Sequence, residues 1–91
     1  MAGKETVNAM LRAAETGDLA AVKATIADGV DVMAKDGAKN TAIHLAAYRG
    51  YPDVVKLMIE NNADPTVGNE NNDLPSHLAA LANHISCLQV S

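Results

Sequence analysis

The sequence contains no phenylalanine and no tryptophan, two tyrosines and a single cysteine in 91 residues. Without aromatic bulk the core must be built from aliphatic side chains and alanine, and with β-branched and aromatic residues sparse, helix is the default reading. The lone cysteine, Cys87, cannot close an intrachain disulfide, which argues against a stapled secreted scaffold and for a reducing compartment. No apolar run approaches the ~20 residues that span a bilayer, and no apolar stretch follows Lys4 at the amino terminus. The expected location is therefore the cytoplasm or nucleus. Basic residues are also few: seven Lys and Arg stand against eleven Asp and Glu, for a net charge of −4. That balance opposes a nucleic-acid backbone or an anionic membrane surface as partner, since both require clustered cations.

What the chain does have is a repeat. Leu11-Arg12-Ala13-Ala14, His44-Leu45-Ala46-Ala47 and His77-Leu78-Ala79-Ala80 recur at a spacing of 33 residues. Gly17 and Gly50 share one repeat position with Asn83, and Asp28-Gly29-Val30-Asp31 shares another with Asn61-Asn62-Ala63-Asp64. A fixed period of this length decides the architecture before any single element is read. Each copy reads as two short helices and a turn-forming finger. In the second copy Thr41 can cap a helix over 42–49 that Gly50 stops, and Pro52 suits the first turn of the next helix, which runs to about Glu60. Val54, Val55, Met58 and Ile59 share its apolar face. The fingers are Val30 to Asn40 and Ala63 to Asp73, rich in Asn, Asp and Gly. The first helix is expected to start near Glu5 as a capping end. The third copy's second helix is expected from near His84 to Ser91, shorter than a full period.

Thr41-Ala42-Ile43-His44-Leu45-Ala46-Ala47, with Gly50, Val54-Val55 and Asn62-Ala63-Asp64, resembles the ankyrin repeat, and the resemblance covers nearly the whole chain. It implies an all-α solenoid of stacked antiparallel helix pairs with short β-hairpin-like fingers projecting to one side. The chain is then one domain, residues 1–91, with an amino-terminal capping repeat at about 3–35, a second repeat at about 36–68 and a truncated third at about 69–91. The family pattern places a Thr hydroxyl on the ring of a structural His that bonds its own finger. In the third copy Leu74 takes the hydroxyl's place and Ser76 that of a buried Leu, so this repeat is expected to be the weakest. The family also has a glycine just ahead of each helix cap, where this chain has Lys39 and Asn72. A lysine in the left-handed region costs about 1 kcal/mol, and Gly37 is expected to relieve it by moving the turn.

Candidate chemistry is thin. His44 and His77, with His84, suggest a metal only superficially, because neighbouring helices stack ~8–10 Å apart while zinc needs ring nitrogens at about 2.0–2.1 Å. Cys87 beside His84, with Asp73, could be drawn as a nucleophile and base. However, Cys87 falls on an apolar-face position, and a buried thiol is inert. Asp36-Gly37-Ala38-Lys39-Asn40 lacks the second glycine and the Lys-Ser/Thr ending of a phosphate loop. No catalytic residue, metal or cofactor is expected, and the chain is not expected to be an enzyme.

The resemblance implies that the protein binds another protein through its fingers and the concave face of its first helices. Position by position, the partner-binding residues are Lys35 and Asn40 on the first finger and Glu70, Asn71 and Asp73 on the second. On the helices they are Tyr48 and Arg49 in the middle repeat and Leu81 in the third. Tyr48 and Arg49 are placed at the centre because aromatic and arginine side chains dominate interface hot spots. After Lys56 the chain has no Lys or Arg, while Glu60, Asp64, Glu70 and Asp73 follow; this half could steer a basic partner. The alternative is a structural subunit or an excerpt of a longer array, whose Ile85, Leu88 and Val90 form an open edge that docks on a second copy or another chain.

Overall fold

The computed structural model describes the backbone of residues 4–81 and the side chains of residues 6–80. Among the described residues there are five helices and no strand: α1 Lys4–Thr16, α2 Leu19–Ala27, α3 Ala42–Arg49, α4 Pro52–Glu60 and α5 Pro75–Leu81. The second helix expected near His84, the apolar edge of Ile85, Leu88 and Val90, Cys87, and the side chain of Leu81 lie outside the described residues. No helix among the described residues is long and apolar enough to cross a membrane.

The first two helix pairs close in the same way, as the repeat demands. Gly17 and Gly50 stop α1 and α3 with φ of +76° and +84°. One residue on, the Asp18 and Tyr51 N–H groups donate to Ala13 and Ala46 carbonyls, each at 2.9 Å. Gly17 is fixed twice over, since a Cβ there would also lie 2.7 Å from the Tyr51 ring edge. Asp18 caps α2 by accepting the Ala21 N–H at 3.1 Å, and Pro52 opens α4, where its missing N–H has no intrahelical partner to lose.

The helices form two layers, with α1, α3 and α5 side by side in one and α2 and α4 in the other. Helix α3 lies centrally, against α1, α4 and α5. That explains why Ala42, Ile43, His44, Ala46 and Ala47 are all buried, more than one amphipathic face supplies. Three of these are alanines, which lets the neighbouring axes approach closely. Met10, Leu11 and Ala14 of α1, Val22 of α2, and Val54, Val55 and Met58 of α4 complete the core. Ile59, expected on the same face, is only half-buried. In α5 the contrast with α3 is plain: Ser76 stands half-buried where its counterpart Ile43 is fully enclosed.

Both finger tips fold by one device. Asp36 Oδ1 accepts the N–H groups of Ala38 and Asn40, while Asn69 Oδ1 accepts those of Asn71 and Asp73, at 2.9–3.0 Å. Lys39 and Asn72 take the left-handed turn, with φ of +63° and +62°. Gly37 does not have a positive φ, so the expected relief of Lys39 does not occur. The reason is that the Asp36 side chain and the Lys39 N–H, which donates to the Asp36 carbonyl at 3.0 Å, pin the left-handed residue at 39. The tips close as hairpin turns without forming strands.

Candidate functional site

The site is assembled around His44, which is fully buried on α3. Its Nδ1 accepts the Thr41 N–H at 3.2 Å and sits 2.9 Å from Thr41 Oγ1. A main-chain N–H can only donate, so Nδ1 carries no proton and the hydroxyl also donates to it. Nε2 then bears the hydrogen and donates to the Asp73 carbonyl at 2.9 Å. The ring is neutral, and burial pushes its pKa below the usual histidine value of 6.5, outweighing the carbonyl bond that raises it. The Thr–His bond and the bond to the repeat's own finger are both the ones expected. His44 reaches to Asp73 at the end of the second finger, which closes the same repeat. The finger thus folds back over α3 and offers the carbonyl of Asp73 to the ring.

His44 thereby fixes the second finger against the helices, and the two tips lock together. The Glu70 N–H donates to the Ala38 carbonyl at 2.9 Å, and Asn69 Nδ2 donates to Asn40 Oδ1 at 2.9 Å. Between the joined tips and the first helices lies a groove of about 220 Å³, lined by Asn40, His44, Leu45, Tyr48, Asn69 and Leu78. Leu45 and Leu78 are half-buried, and Tyr48 is 45% exposed, the one large hydrophobic residue so exposed among the described residues. A larger hollow lies between α1 and α2, lined by Ala9, Ala13 and Ala21 together with Asn8, Arg12, Thr16 and Asp18, and it includes none of the expected partner-binding residues.

Of those residues, Asn40 and Tyr48 line the groove. Arg49 lies beside it, with its guanidinium 5.8 Å from the centre of the Tyr48 ring and paired with Glu15 at 2.9 Å. Both ends of that pair are solvent-accessible, so it contributes at most about 1 kcal/mol and leaves Arg49 free to exchange partners. Glu70 and Asn71 are exposed at the second tip, Asp73 is half-exposed beneath it, and Lys35 is exposed on the first finger away from the groove lining. Leu45, Asn69 and Leu78 were not foreseen. Their signal was available in the register: Leu45 and Leu78 occupy one repeat position, three residues before Tyr48 and Leu81 on the same helix face. His77 differs from His44. It accepts the Leu74 N–H at 3.0 Å, but its side chain is 57% exposed and it has no hydroxyl partner. Among the described residues no three His, Cys, Asp or Glu side chains converge as metal ligands would.

Residues 10–90 match the family of ankyrin repeats in three copies. The chain is 37% identical over 70 residues to protein phosphatase 1 regulatory subunit 27 of Homo sapiens, covering 77% of this chain and 46% of that protein. It is 34% identical over 87 residues to the mitochondrial liver isoform of glutaminase of Rattus norvegicus, covering 94% of this chain and 14% of that enzyme. It is also 36% identical over 72 residues to oxysterol-binding protein-related protein 1 of the same species, covering 77% and 8%. The chain spans less than half the length of each.

Proposed function

Because the chain belongs to the ankyrin repeat family, we propose that it is a non-catalytic interaction module that holds a partner protein in the groove between its finger tips and first helices. Ankyrin repeats generally bind other proteins, and we read this chain as one such domain of three repeats, at about 3–35, 36–68 and 69–91. The observation that carries the reading is the groove. Leu45, Leu78 and the Tyr48 ring border a hollow of about 220 Å³ whose walls are set by His44 and the Asn40–Asn69 bond. An apolar hollow with a polar rim, held by partly buried hydrogen bonds, is pre-organised, and pre-organisation lowers the cost of binding. Tyr48 and Arg49 form the centre, with Asn40, Glu70, Asn71 and Asp73 on the finger side; Lys35 and Leu81 extend the surface.

The first relative named above is a regulatory subunit of protein phosphatase 1, which supports that phosphatase as the first partner to try. The likeness to a glutaminase covers 14% of that enzyme and supports no glutaminase activity here.

The test is site-directed photo-crosslinking in cell extract. A benzophenone amino acid placed at Tyr48 is expected to capture a discrete partner band that is absent when it is placed at Lys23, which is exposed on α2. Equal capture from both positions, or none from Tyr48, would overturn the reading.

A further inference from the structure

Resting on that reading of the groove, we propose that its occupant is an extended protein segment presenting one aliphatic side chain next to a lysine or arginine, with the cation lying on the side of the second finger. Size is the first argument. At about 220 Å³ the groove is smaller than the roughly 300–1,000 Å³ of pockets that enclose small-molecule ligands. It accommodates a side chain rather than a whole ligand. The lining selects which one: Leu45 and Leu78 are aliphatic and the Tyr48 ring offers a flat apolar wall.

The rim reads the backbone. Asn69 Oδ1 is taken by two N–H groups, so its Nδ2 must be the group donating to Asn40, and Asn40 must accept through Oδ1. Asn40 Nδ2 is left with no acceptor among the described residues and is not buried. It is a donor poised for a main-chain carbonyl of an extended segment.

Charge sets the neighbour. On the first finger Lys35 and Lys39 flank Asp36, whose carboxylate is held by two main-chain N–H groups. The second finger instead carries Asp64, Glu70 and Asp73, and no Lys or Arg follows Lys56 anywhere in the chain. His44 is neutral in its buried network, and the Arg49 guanidinium lies on the other side, within reach of Glu15 on α1. The second finger therefore presents carboxylates with no Lys or Arg of its own, only the exposed His77 ring standing 4.0 Å from Asp73 Oδ1, which favours a basic residue there and disfavours an acidic one.

The test titrates the whole ¹⁵N-labelled chain with three peptides: acetyl-Ser-Gly-Lys-Leu-Lys-Gly-Ser-amide, its Leu-to-Ser form and its Lys-to-Glu form. Expected are amide shifts confined to the neighbourhood of Asn40, Leu45, Tyr48, Asn69 and Leu78. Either altered peptide should bind at least about tenfold more weakly, a difference of about 1.4 kcal/mol. Raising salt from about 0.1 M to about 1 M, where the screening length falls from about 10 Å to 3 Å, should abolish the lysine preference. A Glu70→Lys/Asp73→Lys variant of unchanged helicity should lose the preference for lysine over glutamate and keep that for leucine over serine. Equal binding of the lysine and glutamate peptides overturns the partner chemistry while leaving the groove reading intact. Shifts elsewhere, or none at about 1 mM peptide, overturn the proposal. Only if crosslinking from Tyr48 also fails does the groove reading fall with it.

Discussion

Replacing His44 by leucine keeps most of the buried bulk and removes only the hydrogen bonding, so it measures how strongly the second finger is tied to the helices. Three groups lose their partner: the Thr41 N–H, the Thr41 hydroxyl and the Asp73 carbonyl. Thr41 is fully buried, so its orphaned donors incur most of the ~1–3 kcal/mol cost of an unsatisfied buried group. Asp73 is half-exposed, and water can recover part of its loss. The net expectation is a destabilisation of about 2–4 kcal/mol. A domain of this length has only roughly 5–14 kcal/mol to lose. For domains of 60–100 residues each kcal/mol lowers the melting temperature by roughly 4–8 °C, so the midpoint should fall by at least about 8 °C. Thermal unfolding followed by far-ultraviolet circular dichroism reads the total, and amide hydrogen exchange reads the location. Protection should fall first at Asn72, Asp73 and Leu78, because the carbonyl released is that of Asp73. A His44→Leu protein that melts with the wild type, or one whose exchange rises uniformly, would refute the claim that His44 anchors the second finger.

The same histidine sets a pH dependence. Because its folded pKa is lowered, the unfolded chain binds the extra proton first; stability is fully present above about pH 6.5 and falls as pH drops below it. Melting midpoints should decline from pH 8 to pH 5, and more steeply than in His44→Leu; an equal slope in both would contradict the assignment. The Thr66 N–H and hydroxyl likewise hold the Asp64 carboxyl below its usual range, so this contribution too is lost on acidification, at lower pH. Gly17→Ala should cost about 2–4 kcal/mol, combining a left-handed backbone with a clash against the Tyr51 ring. Gly29→Ala, at φ +88° with nothing within 4 Å, should cost only about 1 kcal/mol; denaturant midpoints in the reverse order would sink the steric argument. Lys39→Gly should stabilise by about 0.5–1 kcal/mol, the left-handed cost relieved less the entropy that glycine adds to the unfolded chain. A lowered melting temperature would show that the Lys39 side chain makes a contribution of its own.

Much of the helical frame was legible because its signals are local. The Thr41 cap, the Gly50 stop and Pro52 in the first turn mark α3 and the start of α4 to the residue. The 33-residue register carried those assignments to α1 and α5. What was misplaced or missed turned on side-chain geometry that a residue pattern does not carry. That His44 bonds its own finger came from the family pattern, since nothing within four residues of His44 encodes the fold-back that brings Asp73 over α3. Gly37 looked like the residue to take the left-handed turn, yet the Asp36 side chain, which holds the N–H groups of Ala38 and Asn40, moved it to Lys39. Leu45 and Leu78 carry no local mark of the groove, since a half-buried leucine that borders a groove has the same local pattern as one in the core. Tyr48 was singled out by residue type, and its 45% exposure beside the groove agrees with that choice while testing nothing about what it binds.

The measurement that bears most directly on the central claim is the affinity of the partner captured at Tyr48 for the wild-type chain, for Leu45→Glu/Leu78→Glu and for Ala24→Glu on the exposed side of α2, each checked for native helicity. If the groove is the binding surface, the double variant loses at least about 30-fold, the scale of a hot-spot loss of about 2 kcal/mol, and Ala24→Glu binds as the wild type does. Affinity retained by the double variant, or lost equally by Ala24→Glu, would contradict the account.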